Sequence, residues 1–75
     1  MRIDVKCFAT LRGFTPDGGQ MDVVPPLTLS GLLEKLGVPE KEVRLVFVNG
    51  KNESHWSREV QADDRIGIFP PVGGG

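Results

Sequence analysis

The chain has a single cysteine, Cys7, and one thiol alone forms neither an internal disulfide nor a cysteine-based metal cluster. It has no excess of one charge. Nine Lys and Arg stand against ten Asp and Glu, for a formal net charge of −1, and no block of one sign occurs. A nucleic-acid binder would show a basic stripe, so nucleic acid is not an expected partner. No apolar run approaches the roughly 20 residues that span a bilayer. The opening Met1-Arg2-Ile3-Asp4 alternates in polarity and carries an acid, unlike a secretory leader. These absences predict a cytoplasmic protein that folds without staples and touches neither nucleic acid nor membrane. The chain is also short. At 75 residues, a fold buries only ~60% of its extended surface, enough for one thin core but not for a deep catalytic pocket. That favours a carrier or adaptor over a stand-alone enzyme.

What is present is well patterned. Arg2 to Phe8 alternates, with Ile3, Val5 and Cys7 on one side and Arg2, Asp4 and Lys6 on the other, as in a half-buried strand. Thr15-Pro16-Asp17-Gly18-Gly19 is a turn cluster, and Met21 and Val23 predict a second strand closed by Pro25-Pro26. Leu29, Leu32, Leu33 and Leu36 then follow helical spacing, with Thr28 as N-cap, Gly37 just past the end and Pro39 beyond. Gly31 in the first turn weakens this helix by up to ~1 kcal/mol. Glu42 to Val48 reads as a strand, Asn49-Gly50 as a tight hairpin turn, and Lys51 to Ser54 as its polar return. His55 to Val60 is irregular, and Ala62-Asp63-Asp64 turns into a last strand from Arg65 to Phe69.

The order predicts an α+β architecture, one main helix across one face of a mixed sheet. Residues 1–69 would form the domain and residues 70–75 an extended tail. The expected core face joins Ile3, Val5, Leu45, Phe47, Ile66 and Ile68 to the helix stripe. Phe8, Val46, Val48 and Phe69 have the opposite parity, which would leave an apolar face turned to solvent. Such faces usually mark interfaces. The competing arrangement curls Phe8 and Phe69 into a satellite cluster with Leu11 and Phe14.

The chain ends in Pro70-Pro71-Val72-Gly73-Gly74-Gly75. Prolines cannot extend a sheet ladder and hold the backbone in an extended path, so six residues at ~3.3 Å each reach roughly 20 Å. Glycine has no Cβ and fits backbone geometries and narrow slots closed to other residues. Most domains simply fray at their ends. Here an apolar strand, two prolines and then glycines argue for a tip that enters another protein.

The opening strand with Cys7-Phe8-Ala9, Leu11-Arg12, the helix from Thr28 to Gly37, the Val48-Asn49-Gly50 turn, Asp63-Asp64-Arg65-Ile66 and the ending Ile68-Phe69-Pro70-Pro71-Val72-Gly73-Gly74-Gly75 together resemble the ubiquitin-related sulfur carriers of the MoaD/ThiS family. The Phe-Pro-Pro-Val stretch is more similar to the molybdopterin-synthase small-subunit branch than to the thiamin branch. The resemblance implies a ubiquitin-like β-grasp fold and a sulfur carrier. Its Gly75 carboxyl would be adenylated, with ATP consumed by an E1-like partner, and converted to a thiocarboxylate by a sulfurtransferase or persulfide donor. Pro70, Pro71, Val72, Gly73 and Gly74 would lie in the partner's slot, and Phe8, Val46, Val48 and Phe69 would form the docking surface. The recipient would be the large subunit of molybdopterin synthase or, alternatively, thiazole synthase or the enzyme that makes another thio-metabolite. A third alternative is a ubiquitin-like modifier joined to lysines through its terminal glycine. As a sulfur carrier the chain would bind no cofactor or metal and would act as a cosubstrate.

The other reactive residues have plainer readings. Cys7 points inward beside Ile3 and Val5, where a thiol is inert. His55 has no neighbour in the pattern that could use a base. Trp56 is expected to cover the end of the sheet, and Asp63-Asp64 to form a turn.

Overall fold

The structure, a computed structural model, describes residues 1–71. Alternation at the start produces β1 (Arg2–Cys7), which pairs antiparallel with β2 (Gln20–Asp22), Ile3 opposite Met21. The long connection passes through 3-10 turns at Ala9–Phe14 and Asp17–Gly19. Gly18 and Gly19 take φ of +71° and +73° there, which a side chain would resist. Val23 is not in the strand as expected. It is buried just beyond, its N–H donating to the Met1 carbonyl at 2.8 Å.

The leucine stripe forms α1 (Leu29–Leu36). Thr28 Oγ1 accepts from the Gly31 N–H at 3.0 Å, satisfying one of the helix's orphan donors, and Gly37 ends the helix at φ +83°. Leu29, Leu32 and Leu33 are buried, and Leu36 is half-buried. Gly31 has a packing reason. A Cβ there would lie 3.0 Å from Leu27 Cδ1 and 3.3 Å from Thr28 Oγ1, so the absent side chain makes room for the residues that start the helix.

After α1, Glu40–Glu42 makes a further 3-10 turn, and β3 (Leu45–Val48) starts later than the sequence pattern suggests. Asn49 and Gly50 take φ of +53° and +84°, the hairpin geometry that this pair favours. They lead into β4 (Lys51–Asn52), shorter than the expected return. The stretch from His55 to Val60 backs the start of the helix. Leu29 and Ser30 N–H groups donate to the Arg58 and Trp56 carbonyls, and Val60 N–H donates to the Leu27 carbonyl. Trp56 packs half-buried on the core, its Nε1–H donating to the Glu53 carbonyl at 3.2 Å.

The last strand, β5 (Arg65–Phe69), enters the middle of the sheet, whose order is β2-β1-β5-β3-β4. It runs parallel to β1 and antiparallel to β3, giving the mixed sheet with one helix that the element order predicts. The inner face carries Ile3, Val5 and Cys7 from β1, Val46 and Val48 from β3, and Ile66 and Ile68 from β5, all buried.

The phase of β3 is therefore opposite to the expectation. Val46 and Val48, expected on the solvent face, are core residues, while Leu45 and Phe47, expected in the core, are half-buried on the outer face. The cause is register. Val46 pairs with Ile68 and Val48 with Ile66, and directly paired residues share a face. All four β3 residues are apolar, so alternation along the strand carries no phase, and a one-residue slip inverts the whole strand.

Candidate functional site

The outer sheet face is built around a residue with no side chain. Gly67 sits mid-strand in β5, opposite Lys6 of β1 and Phe47 of β3. Strand alternation turns Leu45, Phe47 and Phe69 to the same side, and Phe8, one residue past β1, joins them. The Phe8 and Phe69 rings stack with centroids 4.1 Å apart and an interplanar angle of 5°. Phe47 meets Phe69 edge-on at 5.4 Å. A Cβ on Gly67 would lie 3.3 Å from Phe69 Cε1 and 3.5 Å from Phe8 Cε2, so glycine allows the rings to close over the strand. All three rings remain half-exposed.

Phe8 and Phe69 thus lie on the solvent side, as expected, but with Phe47 rather than with Val46 and Val48. They do not form the satellite cluster with Leu11 and Phe14. Leu11 belongs to the main core, and Phe14 packs half-buried against it. The sequence reading missed Phe47 and Gly67. The available signal was a lone glycine between Ile66 and Ile68, since a glycine inside a strand often marks a close approach of other groups.

An open groove of about 920 Å³ crosses this face, lined by Lys6, Arg12, Arg65 and Asp4 around the aromatic rings. The Lys6 Nζ lies 5.3 Å from the centre of the Phe8 ring, within cation–π range. At the margin, Arg2 and Asp22 form an exposed ion pair at 3.2 Å that lowers the Asp22 carboxyl and raises the guanidinium. β5 ends at Phe69. Pro70 is buried and Pro71 exposed, so the tail emerges directly beside the aromatic cluster. Val72, Gly73, Gly74 and Gly75 lie outside the described residues.

The remaining reactive side chains occupy structural positions. Cys7 is 2% exposed, and burial pushes its thiol above the ordinary value, with hydrogen bonding to Thr15 as a smaller opposing effect. Its own backbone N–H donates to Thr15 Oγ1 at 3.0 Å. His55 is a surface residue, its side chain 84% exposed. Asp64 is buried, which the turn reading did not anticipate. Its Oδ1 accepts from Asn49 Nδ2 at 2.9 Å and its Oδ2 from the Gln61 N–H at 2.8 Å. Arg58 Nη1 approaches Oδ2 at 3.5 Å. Since the Arg65 N–H donates to Asn49 Oδ1, Asp64 fastens the hairpin turn to the start of β5. Among the described residues no group of His, Cys, Asp or Glu gathers to hold a metal ion, and no helix is long and apolar enough to cross a membrane.

Known proteins bear on this arrangement. Among curated proteins, no sequence matches the chain significantly. Several solved structures share its fold. SAMP1 from Haloferax volcanii is 22% identical, with full coverage of both chains and a TM-score of 0.71. A protein from Pyrococcus furiosus assigned as molybdopterin converting factor subunit 1 is 26% identical over 96% of this chain and 99% of its own, with a TM-score of 0.72. A complex of subunits 1 and 2 of the molybdopterin-converting factor from Helicobacter pylori contributes a chain 18% identical over the full length of both, with a TM-score of 0.64. These are ubiquitin-like β-grasp proteins, and the five-stranded sheet with its single main helix is that fold. The sequence pattern of the ThiS family matches residues 5–75, from the first core strand through the glycine tail. With the helix, the central strand β5 and the tail root all inside that match, the chain belongs to the ThiS family.

Proposed function

We propose that the protein is a sulfur carrier whose Gly75 carboxyl is activated and converted to a thiocarboxylate, most directly for the synthesis of molybdopterin. A carboxylate is a poor electrophile. An E1-like enzyme spends ATP to join it to AMP as a mixed anhydride, releasing pyrophosphate. A sulfur donor then attacks the acyl carbon, AMP leaves, and sulfur remains on the chain terminus. The large subunit of a molybdopterin synthase would receive it. The observation that carries this reading is the position of the aromatic cluster. Phe69 belongs both to the exposed Phe8–Phe47–Phe69 face and to the strand that continues into the tail. A partner that seats on the rings is thereby placed at the root of Pro70-Pro71-Val72-Gly73-Gly74-Gly75. Near-attack geometry tolerates misplacement of only ~1 Å, and docking beside the root limits the tail's freedom. The choice of molybdopterin rests on the similarity to the Pyrococcus furiosus protein and on the fold shared with the subunit complex. Within the same family, the thiamin thiazole pathway is the alternative.

The test is an intact-mass measurement of the protein expressed in its own host, joined to ATP–pyrophosphate exchange with the host's E1-like enzyme. The expected terminus shows the mass gain of one oxygen exchanged for sulfur, and exchange requires the chain. Deleting Gly75 shortens the reach by about 3.5 Å and is expected to reduce thiocarboxylate formation at least ~100-fold at an unchanged melting temperature. A terminus found joined to lysines, as for a protein modifier, would refute the carrier reading. Wild-type thiocarboxylation of the variant lacking Gly75 would instead place the reactive end at Gly74.

A further inference from the structure

We infer that the Asn49-Gly50 turn is a site of slow covalent modification, in which Asn49 loses its side-chain amide and the carboxylate left behind unfastens the hairpin from β5. This goes beyond the carrier reading and does not depend on it. The chain has two asparagines, Asn49 and Asn52, and only Asn49 precedes a glycine. The nucleophile is the Gly50 backbone nitrogen, which attacks the Asn49 Cγ. The Cγ–Nδ2 bond breaks, ammonia leaves with the proton from the Gly50 N–H, and a five-membered succinimide closes. Water then opens the ring at either carbonyl, giving aspartate or an isoaspartate whose main chain runs through the former side chain. The net change is an amide hydrolysed to a carboxylate, with no oxidant or reductant needed. Gly50 suits the attack. Both turn residues are exposed, a Cβ at Gly50 would meet nothing within 4 Å, and the Gly50 N–H has no acceptor among the described residues. Asn52 is followed by Glu53, whose side chain crowds the attack and whose N–H already donates to the Val46 carbonyl at 2.8 Å.

The fold sets the pace of this reaction. Asn49 stands at φ +53° with its carboxamide turned toward β5. Its Nδ2 donates to Asp64 Oδ1 at 2.9 Å, and its Oδ1 accepts from the Arg65 N–H at 2.9 Å. Its backbone N–H donates to the Arg65 carbonyl at 2.8 Å. Ring closure needs the face of the carboxamide presented to the Gly50 nitrogen at near-attack distance. An amide held at both ends presents it only after releasing Asp64 and Arg65, so modification proceeds through local opening of the turn. The product does not fit back into the same place. An aspartate there has no N–H to give Asp64, and it sets a second carboxylate against a side chain only 6% exposed, where like charges disfavour each other strongly. The Arg58 guanidinium approaches Asp64 at the other oxygen, Oδ2, at 3.5 Å, so it does not stand between the two carboxylates. An isoaspartate also lengthens the main chain in a turn whose two residues both take positive φ. The intact amide thus fastens the hairpin to the strand that leads into the tail, and its hydrolysis releases it irreversibly.

The experiment incubates the full chain in mildly alkaline buffer made with heavy-oxygen water and follows ammonia loss at each asparagine by peptide mass mapping. Asn49 is expected to convert well ahead of Asn52, and about tenfold or more faster in urea than in the native protein. Asp64→Ala removes the acceptor of Nδ2 and is expected to speed native conversion about tenfold while leaving the rate in urea unchanged. Asn49→Asp reproduces the hydrolysed side chain and is expected to lower the melting temperature by at least about 5 °C. Adding Asp64→Asn to it restores an amide–carboxylate pair with the roles exchanged and recovers most of that loss. Should Asp64→Ala fail to fold, the native-to-urea ratio of the wild-type chain and the paired exchange carry the test. Native conversion as fast as in urea, Asn52 converting as fast as Asn49, or a folded Asp64→Ala protein converting at the wild-type rate overturns the inference. So does an Asn49→Asp protein as stable as wild type, or a paired exchange that recovers nothing. Thiocarboxylate formation is read separately at Gly75, so either reading can fail alone.

Discussion

Val46 and Phe47 are neighbours in the chain, and the same substitution at each is expected to have opposite consequences. Val46 is 1% exposed on the helix side of β3, paired with Ile68. Val46→Asp removes roughly 1.5–3 kcal/mol of side-chain burial and puts a carboxylate where no partner waits, at a further cost of several kcal/mol. A chain of this length is expected to be stable by only about 4–11 kcal/mol in total. The substitution therefore removes most of that, and the melting temperature is expected to drop by more than about 20 °C, if a cooperative transition survives. Phe47→Asp loses the edge contact to Phe69, worth about 0.5–1.5 kcal/mol, and some partial burial, while its carboxylate stays hydrated. A loss of about 1–2 kcal/mol lowers the melting temperature by roughly 5–15 °C and leaves a folded protein whose activation by the adenylating enzyme is abolished. Far-UV circular dichroism melts and urea titrations report the stability, and pyrophosphate exchange reports the activation. A Val46→Asp protein melting within a few degrees of wild type would refute the phase of β3 on which the site is built. Collapse of Phe47→Asp to the same degree would refute it equally.

Asp64→Ala withdraws the acceptor of the Asn49 and Gln61 hydrogen bonds and the carboxylate facing Arg58. It is expected to cost about 2–3 kcal/mol in urea titrations and to speed amide exchange at Gln61 and Arg65; a change within about 0.5 kcal/mol would show that the turn is held by its backbone alone. Cys7 is expected to resist thiol reagents in the native protein and to react once the chain is denatured. Since burial raises the folded thiol's pKa, its contribution to stability is intact below the ordinary thiol range and is lost as pH rises through it, a loss that Cys7→Ala should lack. The Cys7→Ala protein is also expected to carry sulfur on Gly75, and a folded variant that cannot would overturn the mechanism.

The element order, the helix with both its caps, the inward side of β1 and β5, and the Asn49-Gly50 turn were legible in the chain. Each follows from local chemistry: a period, a capping hydroxyl, a glycine able to take positive φ, or polar residues that declare which side of a strand faces water. Local pattern could not supply the phase of Leu45–Val48, where four consecutive apolar residues suit either face. Pairing with β5 decided it, and that contact joins segments far apart in sequence. The aromatic cluster depended on the same decision, since Phe47 reaches Phe69 and the open space over Gly67 only when Val46 points inward. Asp64 was likewise unremarkable as a turn residue until folding brought Asn49 and Arg58 to it. What the sequence alone determined was therefore each segment's own conformation. The docking face was decided by register, a property of two strands together that neither carries by itself.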